Sequence, residues 1–169
     1  LGRNAKSLGE ELAEAPKDIC IVGGGSVGVE FASFFRAVGT EVTLIEYTPY
    51  LVSYEDEYLG IELRKIFDRQ GIKVMTDTGV TLVKDIGEKV NVEWKGVKDG
   101  ALGKGEFEKV LICVGRKPEF TEEDAKKLGI VLGKRGIETN DFMQTANQKV
   151  YAIGDVAGKA LLAYTAERE

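Results

Sequence analysis

The sequence predicts an α/β fold: a Rossmann-like parallel sheet in which an antiparallel β-meander replaces one crossover helix, giving three layers. Three observations predict it. A glycine-rich turn at residues 23–28 separates a short apolar run from an apolar helix-like segment. A second strand-like run follows and ends in the acidic residue Glu46. Between residues 89 and 94 the apolar period changes from helical to strictly alternating.

The glycine turn is the first feature that predicts a function. Apolar residues at 19–22 form a strand, glycines stand at 23, 25 and 28, and the helix that begins near Ser26 ends at Gly39. In a dinucleotide-binding turn the first glycine permits the tight turn, the second lets the backbone approach a pyrophosphate, and the third lets the helix pack on the strand. Because Gly is common here, at 21 of 169 residues, the prediction depends on the strand and helix around the turn.

Glu46 predicts which dinucleotide is bound. It ends the second strand 18 residues after Gly28, about the spacing of a ribose-binding carboxylate. A carboxylate accepts hydrogen bonds from the ribose hydroxyls of NAD but repels the extra phosphate of NADP. No arginine follows it at residues 47–49. NAD is therefore favoured over NADP, the alternative being that Glu46 is a solvated turn residue.

The next segments continue the fold. Residues 56–70 have helical apolar spacing and Gly71 follows them, so a second crossover helix leads to a third parallel strand at 72–75. The alternating residues 89–94 predict a strand, glycines from 99 to 105 a turn, and residues 106–114 a further strand. Its apolar part, 110–114, is expected to be buried beside the first strand.

The character of the sequence changes at Gly115. A short charged helix is predicted at 121–128, short strands at 129–133, 136–139 and 150–155, and the start of a helix at residue 160. Residues 1–16 are polar and form a lead-in segment. Because the first residue is not Met, we expect a piece cut from a longer polypeptide.

Composition narrows the function classes. With 43% hydrophobic residues a sizeable core is expected, and a net charge of −5 without a basic cluster argues against nucleic acid or an anionic membrane surface as partner. No long apolar segment or signal peptide is evident, so a cytoplasmic location is expected. Cys20 and Cys113 have neither redox-pair nor metal-ligand spacing, and His is absent, so no metal site is predicted and acid–base catalysis by this chain alone is not expected.

The order of the motifs resembles that of the flavoprotein disulfide reductases, most closely the dihydrolipoamide dehydrogenases. The resemblance covers residues 17–169 and has three parts: the glycine loop followed by Glu30, Gly-Arg-Lys-Pro at 115–118, and Thr-Ala-Asn-Gln-Lys-Val-Tyr-Ala-Ile-Gly-Asp at 145–155. It implies that residues 17–115 are an NAD-binding domain and residues 116–169 the second half of an FAD-binding domain. The first FAD half, the redox disulfide and the dimerisation domain would lie outside these residues.

The resemblance also implies roles for individual residues. Glu30 would lie where nicotinamide meets flavin, its alternative being a carboxylate that the helix dipole stabilises. Asp155 would bind the FAD ribityl chain, its alternative being a cap of the last helix. Glu46 would bind the adenosine ribose of NAD, Val80 would contact the adenine side and Gly115 the nicotinamide. Ala163 would lie near FAD. The NAD pyrophosphate would be held by the glycine loop, namely Gly23, Gly24, Gly25, Ser26, Val27 and Gly28.

Two departures from the family pattern leave the subfamily open. Ser26 stands where several relatives have a bulky residue over the nicotinamide pocket, and Tyr164 where the dehydrogenases usually have His. The full protein is expected to pass hydride between NADH and FAD and electrons to a disulfide substrate, as a homodimer. The alternatives are an NADH oxidase-like flavoenzyme, a stand-alone NAD-binding module without catalysis and, more weakly, a flavin-free dehydrogenase. The isolated chain is expected to bind NAD without turnover.

Overall fold

A computed structural model describes residues 14–159 and 161–169. The predicted lead-in segment lies largely outside the described residues, as does Ala160, the predicted start of the last helix. The chain divides into two compact units, the first extending to Gly115 and the second comprising Arg116–Glu169.

The first unit is built on a four-stranded parallel sheet. Its strands lie in the order β3, β2, β1, β7, and every neighbouring pair is parallel. The strands are β1 (Asp18–Val22), β2 (Glu41–Ile45), β3 (Lys73–Met75) and β7 (Lys109–Ile112). This sheet confirms the Rossmann-like part of the predicted fold.

Two crossover helices connect the first three strands. α1 (Ser26–Ala37) follows β1, and α2 (Glu57–Gln70) follows β2. Asp56 caps α2, because its side chain accepts a hydrogen bond from Tyr58 N. Gly71, with φ +79°, ends α2 in the left-handed conformation that glycine tolerates. The predicted end at Gly71 is therefore confirmed, and the helix begins one residue later than predicted because Asp56 is its cap.

An antiparallel meander stands in place of the third crossover helix. It consists of β4 (Thr78–Asp85), β5 (Val90–Gly96) and β6 (Leu102–Phe107), in that spatial order. The prediction of one strand at 106–114 is wrong, because residues 106 and 107 end β6 and β7 belongs to the parallel sheet. The predicted glycine turn is also shorter than expected, since Gly103 and Gly105 lie inside β6. A Cβ on Gly103 would be 2.7 Å from Cε2 of Trp94, so the glycine makes room for that ring.

The two faces of the parallel sheet bury separate cores. One face packs against α1 and α2, with Ile21, Leu44, Phe35 and Phe67 fully buried. The other face, which includes Cys20 and Ile45, packs with Val92 and Trp94 of β5. Helices, parallel sheet and meander thus form the three predicted layers. The last apolar strand is less buried than predicted, because Val110, Leu111 and Ile112 are only half-buried.

The second unit contains less regular structure than predicted. α3 (Glu122–Leu128) begins after Thr121, whose side chain accepts from Asp124 N. The predicted strands at 129–133 and 136–139 are reduced to a single bridge between Leu132 and Ile137. The predicted strand at 150–155 is wrong: Tyr151 forms an isolated bridge to Gln144, and a short 3₁₀ helix covers Gly154–Ala157. α4 (Ala163–Arg168) has no fully buried residue.

Among the residues that the structure describes, no helix combines the length and apolarity needed to cross a membrane.

Candidate functional site

The turn between β1 and α1 is closed by backbone contacts that only glycine permits. Gly23 has φ +106°, and a Cβ there would lie 2.5 Å from the carbonyl oxygen of Cys113 in the segment after β7. A Cβ on Gly28 would collide with the carbonyl oxygen of Gly23. The tight turn and the close packing of α1 therefore each depend on a missing side chain.

Gly25 differs from these two glycines because no backbone lies against it. It is the N-cap residue of α1 and gives the helix no side-chain cap. A Cβ on Gly25 would meet only the ring of Tyr54, with Cε1 at 3.6 Å. The start of α1 is thus covered by an exposed side chain and not by backbone, and a dinucleotide turn requires that the backbone at its second glycine can be approached.

Glu46 follows β2 directly and lies beside the glycine turn. It is 9% exposed. Its Oε2 accepts a hydrogen bond from Gly24 N, and its Oε1 accepts one from Thr48 N at 2.7 Å. The Thr48 hydroxyl is a further donor, 2.7 Å from Oε1. The alternative of a solvated turn residue is therefore wrong, because the carboxylate is buried and bonded to the loop.

The glycine turn and Glu46 form one cluster in the first unit. Ser26 and Val27 are the first two residues of α1, and Val27 is exposed. Helix N–H groups at this end favour negative charge. A buried carboxylate thus lies next to an anion-favouring helix start, so one ligand carrying hydroxyl groups and phosphates could contact both.

The other first-unit residues do not all belong to this cluster. Val80 lies in β4 opposite Trp94 and is half-buried against the second core. Glu30 is exposed on α1, one turn beyond Ser26. Gly115 has φ +116° with open space around the position of a Cβ. Glu30 thus shares α1 with Ser26, whereas Val80 lies on the meander and Gly115 follows β7.

The predicted flavin residues lie in the second unit. Asp155, in the 3₁₀ helix, forms an ion pair with Arg116, whose Nη2 is 2.8 Å from Oδ2. Leu162 is the N-cap of α4, so the alternative that Asp155 caps the last helix is wrong. Ala163 is the exposed first residue of α4.

The structure adds two residues that sequence reasoning missed. Thr48 bonds to Glu46, and the Tyr54 hydroxyl accepts a hydrogen bond from Ser26 N at 2.6 Å. Thr48 could have been suspected, because threonine hydroxyls in turns often bond to nearby backbone groups, and this hydroxyl also lies 2.9 Å from the carbonyl oxygen of Tyr50. Tyr54 carried no signal, since its position depends on the fold of the whole β2–α2 connection.

Both cysteines are free thiols in apolar surroundings. Burial raises the pKa of Cys20 to about 12, and burial also raises the pKa of Cys113. Because the thiolate is the reactive form, neither side chain is suited to attack a disulfide.

Comparison with known proteins identifies relatives along nearly the whole chain. The family model described as pyridine nucleotide-disulphide oxidoreductase matches residues 4–169. Dihydrolipoyl dehydrogenases of Mycobacterium leprae and Thermus scotoductus are each 36% identical, over 92% and 91% of the chain. The chain spans about a third of their length, 33% and 34%.

Solved structures give the same picture. The chain is similar to the HOCl-induced flavoprotein disulfide reductase RclA of Escherichia coli, in its Cu(II) complex, with a TM-score of 0.79 and 25% identity over 92% of the chain. It is equally similar to LpdA of Mycobacterium tuberculosis, with a TM-score of 0.79 and 25% identity over 92% of the chain. The matches cover 34% and 33% of those two proteins.

Proposed function

The chain belongs to the pyridine nucleotide-disulphide oxidoreductase family, and from that membership we propose that it is the NAD(H)-binding portion of a longer, FAD-dependent disulfide oxidoreductase related to the dihydrolipoyl dehydrogenases. One observation carries the proposal: the buried Glu46 carboxylate is bonded to the same glycine turn that opens α1. A ribose and a pyrophosphate are the two parts of a dinucleotide that such a pair of groups would bind.

The residues of this site fit NAD. An ionised carboxylate has about four acceptor positions, and Glu46 uses one on Oε2 and at most two on Oε1. Acceptor positions thus remain for ribose hydroxyls. The extra phosphate of NADP would instead approach a carboxylate of like charge. The hydrogen-bond donors around Glu46 already bond to its carboxylate and would not be available to that phosphate. Gly25 supports the fit further, because the group nearest to the position of its Cβ is the exposed Tyr54 side chain and not backbone.

Under this proposal each predicted residue has a role in the larger protein. Gly23, Gly24, Gly25, Ser26, Val27 and Gly28 would hold the pyrophosphate, Glu46 the adenosine ribose, Val80 the adenine side and Gly115 the nicotinamide end. Glu30 would orient the nicotinamide next to the flavin. Asp155 and Ala163 would contact FAD once the remainder of the FAD domain is present. Residues 17–115 are then the NAD-binding domain and residues 116–169 part of the FAD domain.

When bound, the nicotinamide and flavin supply hydride and electron transfer, and the protein supplies binding and orientation. We therefore expect this chain to bind NADH but not to turn it over. It contains no His, and both of its cysteines are thiols with raised pKa values. For the full protein we propose a disulfide substrate, a homodimeric state and a cytoplasmic location.

The test is the native polypeptide, purified from its source without added cofactor. We expect about three times the mass of this chain, since the chain spans 33% of a relative, and a yellow protein with a flavin spectrum. A colourless protein of full length would contradict the flavoenzyme. A colourless native protein of the mass of this chain that binds NADH would instead identify a stand-alone NAD-binding module.

A further inference from the structure

We propose that the Tyr54 hydroxyl competes with a phosphate of the dinucleotide for the start of α1, and that NAD(H) must displace this hydroxyl in order to bind. This inference rests on the proposed function. It adds an internal competitor for the pyrophosphate to the site, contributed by the connection between β2 and α2.

The hydrogen bonds of the glycine turn support this assignment. Gly24 N donates to Glu46, and Ser26 N, the first N–H of α1, donates to the Tyr54 hydroxyl at 2.6 Å. The N–H groups of the first helical turn are those that a bound phosphate accepts from. The Tyr54 oxygen therefore takes the place of a phosphate oxygen at Ser26.

The backbone of the connection between β2 and α2 is anchored beside the glycine turn, and this places the Tyr54 ring next to that turn. Leu51 is 1% exposed, and Val52 N donates to the carbonyl oxygen of Gly24 at 2.8 Å. Val52 has φ +46°, an unusual conformation for a β-branched residue. Glu55 N donates to Val52 O at 2.8 Å, which closes a turn around Tyr54. The Tyr54 ring then covers Gly25, the glycine whose open side a pyrophosphate needs.

Tyr54 itself is held weakly. Its side chain is 63% exposed, and the bond from Ser26 is the one hydrogen bond of its hydroxyl within the described part of the chain. The ring can therefore leave without opening the core, because Leu51 anchors the connection independently. Dinucleotide binding exchanges one neutral hydrogen bond at Ser26 for one to a charged phosphate oxygen, which is the stronger of the two.

The test compares Tyr54→Phe with the wild-type chain. The substitution keeps the ring and removes the competing oxygen, so we expect NADH and ADP-ribose to bind roughly 2- to 10-fold more tightly, the range that one net hydrogen bond gives. Adenosine, which has no phosphate, is expected to bind both proteins equally. Tyr58→Phe is the matched control, since Tyr58 is similarly exposed, at 66%, on α2. Calorimetry gives the Kd of NADH and of ADP-ribose, and an NMR titration gives the Kd of adenosine.

The possible outcomes separate this inference from the proposed function. Equal NADH affinity of wild type and Tyr54→Phe would overturn the inference and leave the NAD site intact. Weaker binding by Tyr54→Phe would also overturn it, because the hydroxyl would then be a ligand of the phosphate. Tighter binding of adenosine too would point to a general loosening of the connection and overturn it. NADH binding by none of the proteins would contradict the proposed function itself.

Discussion

At the residue scale, Glu46 has two roles: it connects two segments of the fold, and it is the proposed ligand of the ribose. Its carboxylate links the segment after β2 to the glycine turn after β1 through Gly24 N, and Thr48 holds its other oxygen. The side chain is buried and accepts hydrogen bonds from Gly24 and Thr48, which fixes its orientation before any ligand binds. A ribose would therefore meet a preorganised acceptor, which reduces the entropy cost of binding.

Replacing Glu46 with Ala should weaken NADH binding. One or two hydrogen bonds to a charged group are lost, and each contributes about 1.5–3 kcal/mol, so one bond alone predicts roughly a 10- to 150-fold higher Kd by calorimetry. Glu41→Ala is the control, because Glu41 is an exposed carboxylate at the start of the same strand. An unchanged NADH affinity of the folded Glu46→Ala chain would rule out the ribose contact.

How far the site could be predicted differs between its residues. The glycines and Glu46 could be predicted as candidates, because strand, turn and helix follow one another in sequence and give the glycine spacing its meaning. Tyr54 was not, because its contact with Ser26 spans 28 residues and depends on how the β2–α2 connection folds back. Spacing does not encode such a contact.

At the scale of elements, the strand–turn–helix unit depends on the backbone geometry of the turn. Gly23 and Gly87 have nearly equal φ values, +106° and +105°. A Cβ on Gly23 would press on the carbonyl of Cys113, whereas a Cβ on Gly87, between β4 and β5, would meet nothing within 4 Å. The two positions thus form a matched pair that separates steric contact from conformational strain.

Gly23→Ala should destabilise the chain more than Gly87→Ala. Both substitutions force an alanine into a positive φ, which is strained. Gly23→Ala also creates a clash with backbone, and overpacking of this kind typically lowers the free energy of unfolding by about 1–3 kcal/mol. The free energy of unfolding in urea measures the difference. Equal losses for the two variants would contradict the close packing of β1, α1 and the end of β7.

Elements were predictable where their local signals agreed with the tertiary structure. The apolar period of α2 and the glycine at 71 predicted the helix and its end, and its start differs by one residue because Asp56 is the cap. Gly103 and Gly105 misled the prediction because glycine indicates a turn, while here it makes room for the rings of Trp94 and Phe107 within the meander. The strand predicted at 150–155 was wrong because Gly154 adopts φ +68° and begins a 3₁₀ helix.

At the scale of the whole molecule, the residues proposed for NAD and those proposed for FAD lie in different units. The first unit contains the glycine turn, Glu46 and Tyr54, and the second contains the Asp155–Arg116 pair. The relatives are about three times as long as the chain. A binding function is thus what these residues can be tested for directly, whereas catalysis is a property proposed for the full protein.

The most direct test of the proposed NAD site is calorimetry of the 169-residue chain with NADH and, separately, with NADPH. Since Glu46 would attract ribose hydroxyls and repel a 2′-phosphate, NADH should bind at least about tenfold more tightly, a difference of about 1.4 kcal/mol. Equal affinities, or binding of neither dinucleotide, would contradict the assignment of the glycine turn and Glu46 as an NAD site.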